Sequence, residues 1–309
     1  MRVAIVGSTA SGKSSVAMAV ATATGDVELV SVDSMQVYRG MDIGTAKPTL
    51  DERRTVRHHG LDLVDATDEF TVAEFQPAAR AALADIASRG SRALLVGGTG
   101  LYHRVVVDDF DIPGRFPHVR DELDATVDTA SDPAGEVARL HARLTELDPA
   151  ASARIEPGNR RRVVRALEVT LGSGRRFSSF GPGVDVYPPS PVVQIALRRP
   201  RDVVAELIER RVDHMIEAGL VDEVARLHAS GMSNTARQAL GYKEIVEHLE
   251  GRWTLDEAIE ATVIRTRQFA VRQERWFRRD PRVRWVDVGN DPVADVAPVV
   301  IDALDEKDP

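Results

Sequence analysis

Residues 3–20 read VAIVGSTASGKSSVAMAV. Four apolar residues run into a loop bounded by glycines, and a lysine, two serines and an alanine-rich segment follow. A short continuous apolar run suits a buried strand, and the alanine-rich segment suits a helix. Between them, Gly7-Ser8-Thr9-Ala10-Ser11-Gly12-Lys13-Ser14 fits the spacing G-x-x-x-x-G-K-S/T. Glycines let backbone N–H groups turn inward around an anion, and the helix N-terminus adds the positive end of its dipole. The loop is therefore expected to hold a diphosphate through Gly7, Thr9, Ala10, Ser11, Gly12, Lys13 and Ser14. Lys13 supplies a mobile charge, and the Ser14 hydroxyl is the expected Mg²⁺ contact.

Three further apolar runs, 27–32, 93–96 and 192–197, also read as buried strands. Helical patterns alternate with the first three, which predicts a parallel sheet covered by helices on its faces. From 113 to 178 the chain changes to short charged helical patterns such as FPHVRDELDATV and PAGEVARLHARLTEL, read as a helical insertion. FGPGVDVYPPSPV is the connector back to a core formed by 1–112 and 179–309. Residues 202–279 read as nearly all helical, and the polar end DEKDP as a frayed terminus.

The 309 residues contain no cysteine, which excludes disulfides and thiolate metal sites and permits a reducing cytoplasm. The start MRVAIVG has no apolar secretory core, and no apolar run approaches the ~20 residues that span a bilayer, so a cytoplasmic protein without a membrane partner is expected. The net charge of −8 argues against nucleic acid on average. Two local stripes argue the other way. Residues 154–176 carry Arg154, Arg160, Arg161, Arg162, Arg165, Arg175 and Arg176 against Glu156 and Glu168. Residues 265–284 carry Arg265, Arg267, Arg272, Arg275, Arg278, Arg279, Arg282 and Arg284, with Phe269, Trp276 and Phe277 interleaved. Such stripes suit RNA, although on helices they are more often solvated faces, and those aromatics also fit an apolar helix side.

A nucleotide hydrolase needs an acid to hold its Mg²⁺ at a neighbouring strand end. The strand at 93–96 ends in Gly97-Gly98-Thr99-Gly100, without one. The strand at 27–32 ends in Asp33, where parallel sheets bind ligands. On the residues alone Asp33 suits a metal ligand, a general base or a turn acid. Residues 202–219 predict a helix capped by Asp202, with an apolar face of Val204, Leu207, Ile208, Val212, Met215 and Ile216. Helical spacing puts Arg211 on that face and Arg210 off it. An inward arginine serves either a structural ion pair or a phosphate in the cleft.

The stretches GSTASGKSS, SVDSMQVYRGMDIGTAKP, LLVGGTGLY, LDPAASARIEPGNRRRVVRALEV, IERRVDHMIEAGLVDEV, ALGYKE and RTRQFAVRQERWF resemble, in order, the tRNA dimethylallyltransferase family, also called tRNA isopentenyltransferases. They cover most of residues 3–279, and the second stretch is the most specific. The resemblance implies a P-loop NTPase-like fold, close to nucleotide kinases, with a helical insertion. It implies Mg²⁺ and transfer of a dimethylallyl group from dimethylallyl diphosphate to N6 of adenosine 37 of tRNA. By position it makes Asp33 the general base, Thr9 its support and Arg211 the arginine near the reacting centre. Lys13 and Ser14 match diphosphate and metal contacts. Asp33, Ser34, Met35, Gln36, Thr99, Arg120, Arg161, Arg162, Arg165, Gln238, Gly241, Tyr242 and Lys243 match regions that meet tRNA. The chain departs from the family pattern at Ser8, Arg160 and Val271. A monomer is expected.

Two other classes share part of this pattern. A small-molecule P-loop kinase would use the loop but has no need of DSMQVYRGMDIGTAKP or the basic C-terminal helix. A non-catalytic RNA-binding protein would explain the stripes but not Thr9, Lys13, Asp33 and Arg211 together.

Overall fold

The computed structural model describes residues 2–181 and 183–306. Pro182 of the connector and residues 307–309 of DEKDP therefore lie outside the described residues. The chain divides into two compact units, Met1–Asp108 with Tyr187–Pro309, and Asp109–Val186. The second begins four residues before and ends eight residues after the 113–178 insertion read from the sequence.

The first unit is built on β1 (Arg2–Gly7), β2 (Val27–Ser31), β4 (His58–His59), β6 (Arg92–Gly97), β7 (Val192–Arg198) and β8 (Val283–Asp287). They pair in parallel in the order β4-β2-β6-β1-β7-β8, and the short β3 (Tyr38–Arg39) and β5 (Val64–Asp65) form a separate parallel pair. Val3 of β1 stands opposite Leu94 of β6 and Val193 of β7. Residues Val3 to Val6 are fully buried, as a strand covered on both faces requires. The sequence reading assigned no strand to 283–287. There, VRWVD is an edge strand in which only Val283 is buried, so it lacks the apolar run that marks a central strand.

On one side, α1 (Lys13–Thr24) packs with α14 (Pro292–Asp305). Val16 and Val20 join Val3, Ile5, Leu29, Val296 and Val300 in one core cluster. Each such fully buried side chain contributes about 1.5–3 kcal/mol. The sequence reading left α14 unassigned. Asp291 caps it by accepting from the amides of Val293 at 2.9 Å and Ala294 at 3.3 Å, and the helix continues through Pro298. The remaining helices of this unit are α2 (Leu50–Thr55), α3 (Val72–Ser88), α4 (Gly100–Val107), α9 (Arg201–Glu217), α10 (Leu220–Ala229), α11 (Asn234–Arg237), α12 (Tyr242–Leu249) and α13 (Leu255–Arg278). α13 contacts β1, α4 and α9, which brings a long helix against the start of the phosphate loop. Thr254 and Glu257 close a capping box at its start. The start of α9 corrects the expected cap: Pro200 occupies the N-cap and Asp202 the first turn, where a carboxylate meets the positive dipole end.

The second unit contains α5 (Pro117–Asp128), α6 (Pro133–Leu147), α7 (Pro149–Ser152) and α8 (Arg160–Ser173) and no strand among the described residues. Leu123, Val127, Leu140, Leu144, Val163, Val164 and Leu167 form its core. No described helix is long and apolar enough to cross a membrane.

Candidate active site

The phosphate loop follows β1 at the carboxyl end of the sheet. Gly7 and Gly12 adopt φ of 137° and 101°, which side chains rarely tolerate. A Cβ on Gly12 would also lie 2.7 Å from the Pro292 side chain, so the glycine is required twice over. With the backbone turned this way, the amides of residues 10–15 donate to no group among the described residues. Ser11 Oγ is buried there without a hydrogen-bond partner among the described residues. Lys13 Nζ donates to the Ser8 carbonyl at 2.5 Å, so the departure at Ser8 leaves the backbone contact intact. The Thr9 amide differs from its expected role as a diphosphate donor: it donates to Gln273 Oε1 at 2.8 Å. Its hydroxyl makes no hydrogen bond with Asp33 among the described residues.

Asp33 lies just beyond β2, and its Oδ1 accepts from the Met35 amide at 2.8 Å. Such a bond holds the carboxylate at a turn and leaves Oδ2 open. The Ser34 amide donates to Thr99 Oγ1 at 3.2 Å, joining the turn to the end of β6. Gln36 accepts from Ser31 Oγ at 2.7 Å and donates to the carbonyls of Thr45 and Ala46 at 3.1 and 3.2 Å, so it holds the next loop. A cavity of about 680 Å³ has Thr9 to Ser14, Asp33 to Gln36, Thr99, Arg211, Gln238 and Gly241 on its wall.

Its electrostatics come from three groups. Burial, with the Arg211 guanidinium, lowers the Lys13 ammonium to about 7, and Asp33 opposes that fall. Burial lowers Arg211 too, again opposed by Asp33. Arg211 makes no direct ion pair among the described residues, whereas Arg210 is exposed and faces Glu206 at 3.8 Å. The helical phase read from the sequence therefore holds, and Arg211 is presented to the cleft wall.

Not every expected RNA contact is available to RNA. Tyr242 is fully buried and its hydroxyl donates to Glu223 at 2.5 Å, which corrects its assignment. Lys243 Nζ donates to Gln238 Oε1 at 3.0 Å, so the two act together. The Gly241 amide is taken by Glu244 at 2.7 Å. In the second unit, Arg165 donates to the buried Glu168 at 2.7 Å and to the Pro113 carbonyl at 2.9 Å. Arg120 faces Asp124 at 3.3 Å and Glu168 at 3.4 Å. Arg160 pairs with Asp124 and Asp128 at 2.9 and 2.6 Å, a local use for that departure. Arg161 is exposed without an ion pair among the described residues, and Arg162 only reaches Asp185 at 3.9 Å. Of the interleaved aromatics on α13, Phe277 is core, while Phe269 and Trp276 are half-buried.

Three residues at the site escaped the sequence reading. Gln273 bridges the Thr9 amide and the Gly98 carbonyl, the latter at 3.0 Å. Glu223 accepts from the amides of Asp42 at 3.0 Å and Ile43 at 2.9 Å, and from Gly44 at 3.3 Å. Lys47 is buried and donates to the Tyr38 carbonyl at 2.5 Å and to Asp62 at 2.6 Å. The usable signal for Gln273 was the run Thr262, Thr266, Ala270, Gln273, Phe277, in which polar Thr262, Thr266 and Gln273 share the buried stripe of α13 at helical spacing. Glu223 and Lys47 gave no such signal, since each serves backbone groups together with side chains that no local spacing ties to it.

Among the described residues no cluster of three or more His, Asp or Glu could hold a metal. The exposed Ser14 hydroxyl on the cavity wall instead fits Mg²⁺, which keeps waters and prefers substrate phosphates to an all-protein cage.

The description "IPP transferase" belongs to the family model that matches residues 36–280. A tRNA dimethylallyltransferase of Paenarthrobacter aurescens (strain TC1) is 46% identical over 303 residues, covering 97% of this chain and 95% of its own. One of Kineococcus radiotolerans is 48% identical, covering 98% and 96%. Among solved structures, the full-length tRNA isopentenylpyrophosphate transferase of Bacillus halodurans superposes with a TM-score of 0.68 at 40% identity, covering 98% of this chain and 96% of that one. A eukaryotic dimethylallyltransferase acting on tRNA gives a TM-score of 0.77 at 26% identity, covering 97% and 77%. The P-loop NTPase-like sheet, the loop that leaves its amides free and the match over nearly the whole length lead to one assignment: the chain belongs to the IPP transferase family.

Proposed function

We propose that this chain transfers a dimethylallyl group from dimethylallyl diphosphate to N6 of adenosine 37 in the tRNA anticodon loop, releasing diphosphate. The observation that carries the reading is one cleft holding the undonated amides of residues 10–15, Lys13, Arg211 and the turn carboxylate of Asp33. The loop amides, Lys13 and Arg211 receive the diphosphate and stabilise the charge that grows on it as the allylic C–O bond breaks. Ser14 would hold Mg²⁺, which supplies further charge neutralisation on the diphosphate when bound. The exocyclic amine is a weak nucleophile, and Asp33 orients it and accepts its proton as the C–N bond forms. A stacked adenine cannot reach the site, so the base is flipped into it. Ser34, Thr99, Gln36 and the Gln238–Lys243 pair border the base's side, and Arg161 and Arg162 hold RNA phosphate. The absence of cysteine suits action in the cytoplasm.

The test is incubation with labelled dimethylallyl diphosphate, Mg²⁺ and unmodified tRNA, without nucleotide. Label is expected on adenosine 37, with one diphosphate released per transfer. ATP-dependent phosphorylation of a small molecule with no prenylated tRNA would instead identify a kinase. RNA binding without either reaction would identify a binding protein.

A further inference from the structure

Gln273 spans the two walls that carry the opposite ends of the reaction. Its Oε1 accepts from the Thr9 amide at 2.8 Å and its Nε2 donates to the Gly98 carbonyl at 3.0 Å. One partner is a donor and the other an acceptor, so the amide has one orientation only. Thr9 belongs to the phosphate loop. Gly98 precedes Thr99, whose hydroxyl takes the Ser34 amide at 3.2 Å, and Ser34 adjoins Asp33. Hydrogen bonds joined by backbone links thus run from the diphosphate side to the carboxylate side, with Gln273 as the span. The side chain is buried, and the backbone at Gly98 approaches it so closely that an added Cβ would lie 2.2 Å from Nε2. The next residue back, Arg272, is exposed on the cavity wall without an ion pair among the described residues.

We propose that Gln273 is a positioning residue that fixes the separation between the phosphate loop and the Asp33 turn, and so between leaving group and acceptor base. The proposal rests on the reading of the site as a prenyl transferase. Both polar ends of the Gln273 amide are taken by Thr9 and Gly98, so it acts through them. Misplacing reacting groups by about 1 Å costs on the order of 10²-fold in rate. The effect belongs to the chemical step, because the amides of residues 10–15 stay together on one loop for diphosphate binding and only the separation of that loop from the Asp33 turn changes.

The experiment uses Gln273→Met, which keeps volume and removes both hydrogen bonds, and Gly98→Ala, whose Cβ at 2.2 Å from Nε2 drives the amide away and, at 3.0 Å, also crowds the Gly7 carbonyl. Single-turnover prenylation of tRNA should fall about 10- to 100-fold in each. Dissociation constants for dimethylallyl diphosphate and for tRNA should stay within about threefold of wild type. The double variant should be no slower than the worse single one, because both break one span. Gln273→Met that is folded by circular dichroism and runs within about twofold of wild type overturns the proposal. So do additive losses, or losses that follow only the folded fraction. If Gln273→Met does not fold, Gln273→Asn, one methylene too short to reach both partners, takes its place with the same outcomes. Wild-type protein run in parallel separates the two readings: failure of wild type to prenylate tRNA overturns the assigned function, whereas equal rates in wild type and variant overturn only the span.

Discussion

Lys13 Nζ donates to the Ser8 carbonyl at 2.5 Å, so the lysine of the phosphate loop is folded back on the loop's own backbone. Burial and Arg211 hold its ammonium at about 7, with Asp33 opposing. A diphosphate placed beside it favours the charged form and raises that value. The protein without diphosphate therefore binds fewer protons at Lys13 above pH 7 than the complex does. Affinity for dimethylallyl diphosphate should be full below about pH 7 and fall by up to tenfold per unit above it, with proton uptake approaching one per site. Calorimetry at pH 8 in two buffers of different ionisation enthalpy measures that uptake. Zero uptake would show that Lys13 is already charged in the free protein.

Arg211 and Arg210 are adjacent in sequence and opposite in environment. Arg211→Ala should lower single-turnover prenylation by about 10²-fold or more, the scale of a lost electrostatic contact in a transition state. Arg210→Ala, which loses only an exposed pair with Glu206, should stay within about twofold. Asp33→Asn keeps an oxygen for the Met35 amide and loses the base, so its rate should fall by about 10²-fold with tRNA affinity intact. Equal kinetics for the two arginine variants would place the diphosphate elsewhere.

The buried Tyr242–Glu223 pair predicts a stability effect where the sequence suggested an RNA contact. Tyr242→Phe should cost about 1 kcal/mol in denaturant unfolding and leave the salt dependence of tRNA binding unchanged. Glu223→Ala leaves the amides of Asp42, Ile43 and Gly44 and the Tyr242 hydroxyl without their acceptor, and should cost at least about 3 kcal/mol. A Tyr242→Phe protein of wild-type stability with a flattened salt slope would return the tyrosine to the RNA.

The arginines of α8 separate in the same way. Arg161→Glu and Arg162→Glu should each lower the slope of log affinity for tRNA against log salt by about one, and spare diphosphate binding. Arg165→Glu would put a second carboxylate against the buried Glu168 and should destabilise the second unit before it reports on RNA. Thermal unfolding beside binding titrations distinguishes the two effects. Equal stability of all three variants would contradict the structural role of Arg165.

The sequence by itself determined the phosphate loop, the central strands and the inward phase of Arg211, because each is local. G-x-x-x-x-G-K-S constrains one loop, four apolar runs mark strands buried on both faces, and 3.6-residue spacing orients one helix. It also placed Asp33 at a strand end. The tertiary structure decided the rest, because those residues work through partners far along the chain. Gln273 meets Thr9 and Gly98, Glu223 meets the backbone of residues 42–44, and Pro292 abuts Gly12. A backbone amide carries no side-chain signature, so the sequence cannot say which residue its donor will find. The edge strand β8 and the helix α14 were silent for a related reason: β8 buries only Val283, α14 carries an internal proline, and both elements are fixed by packing against the sheet and α1.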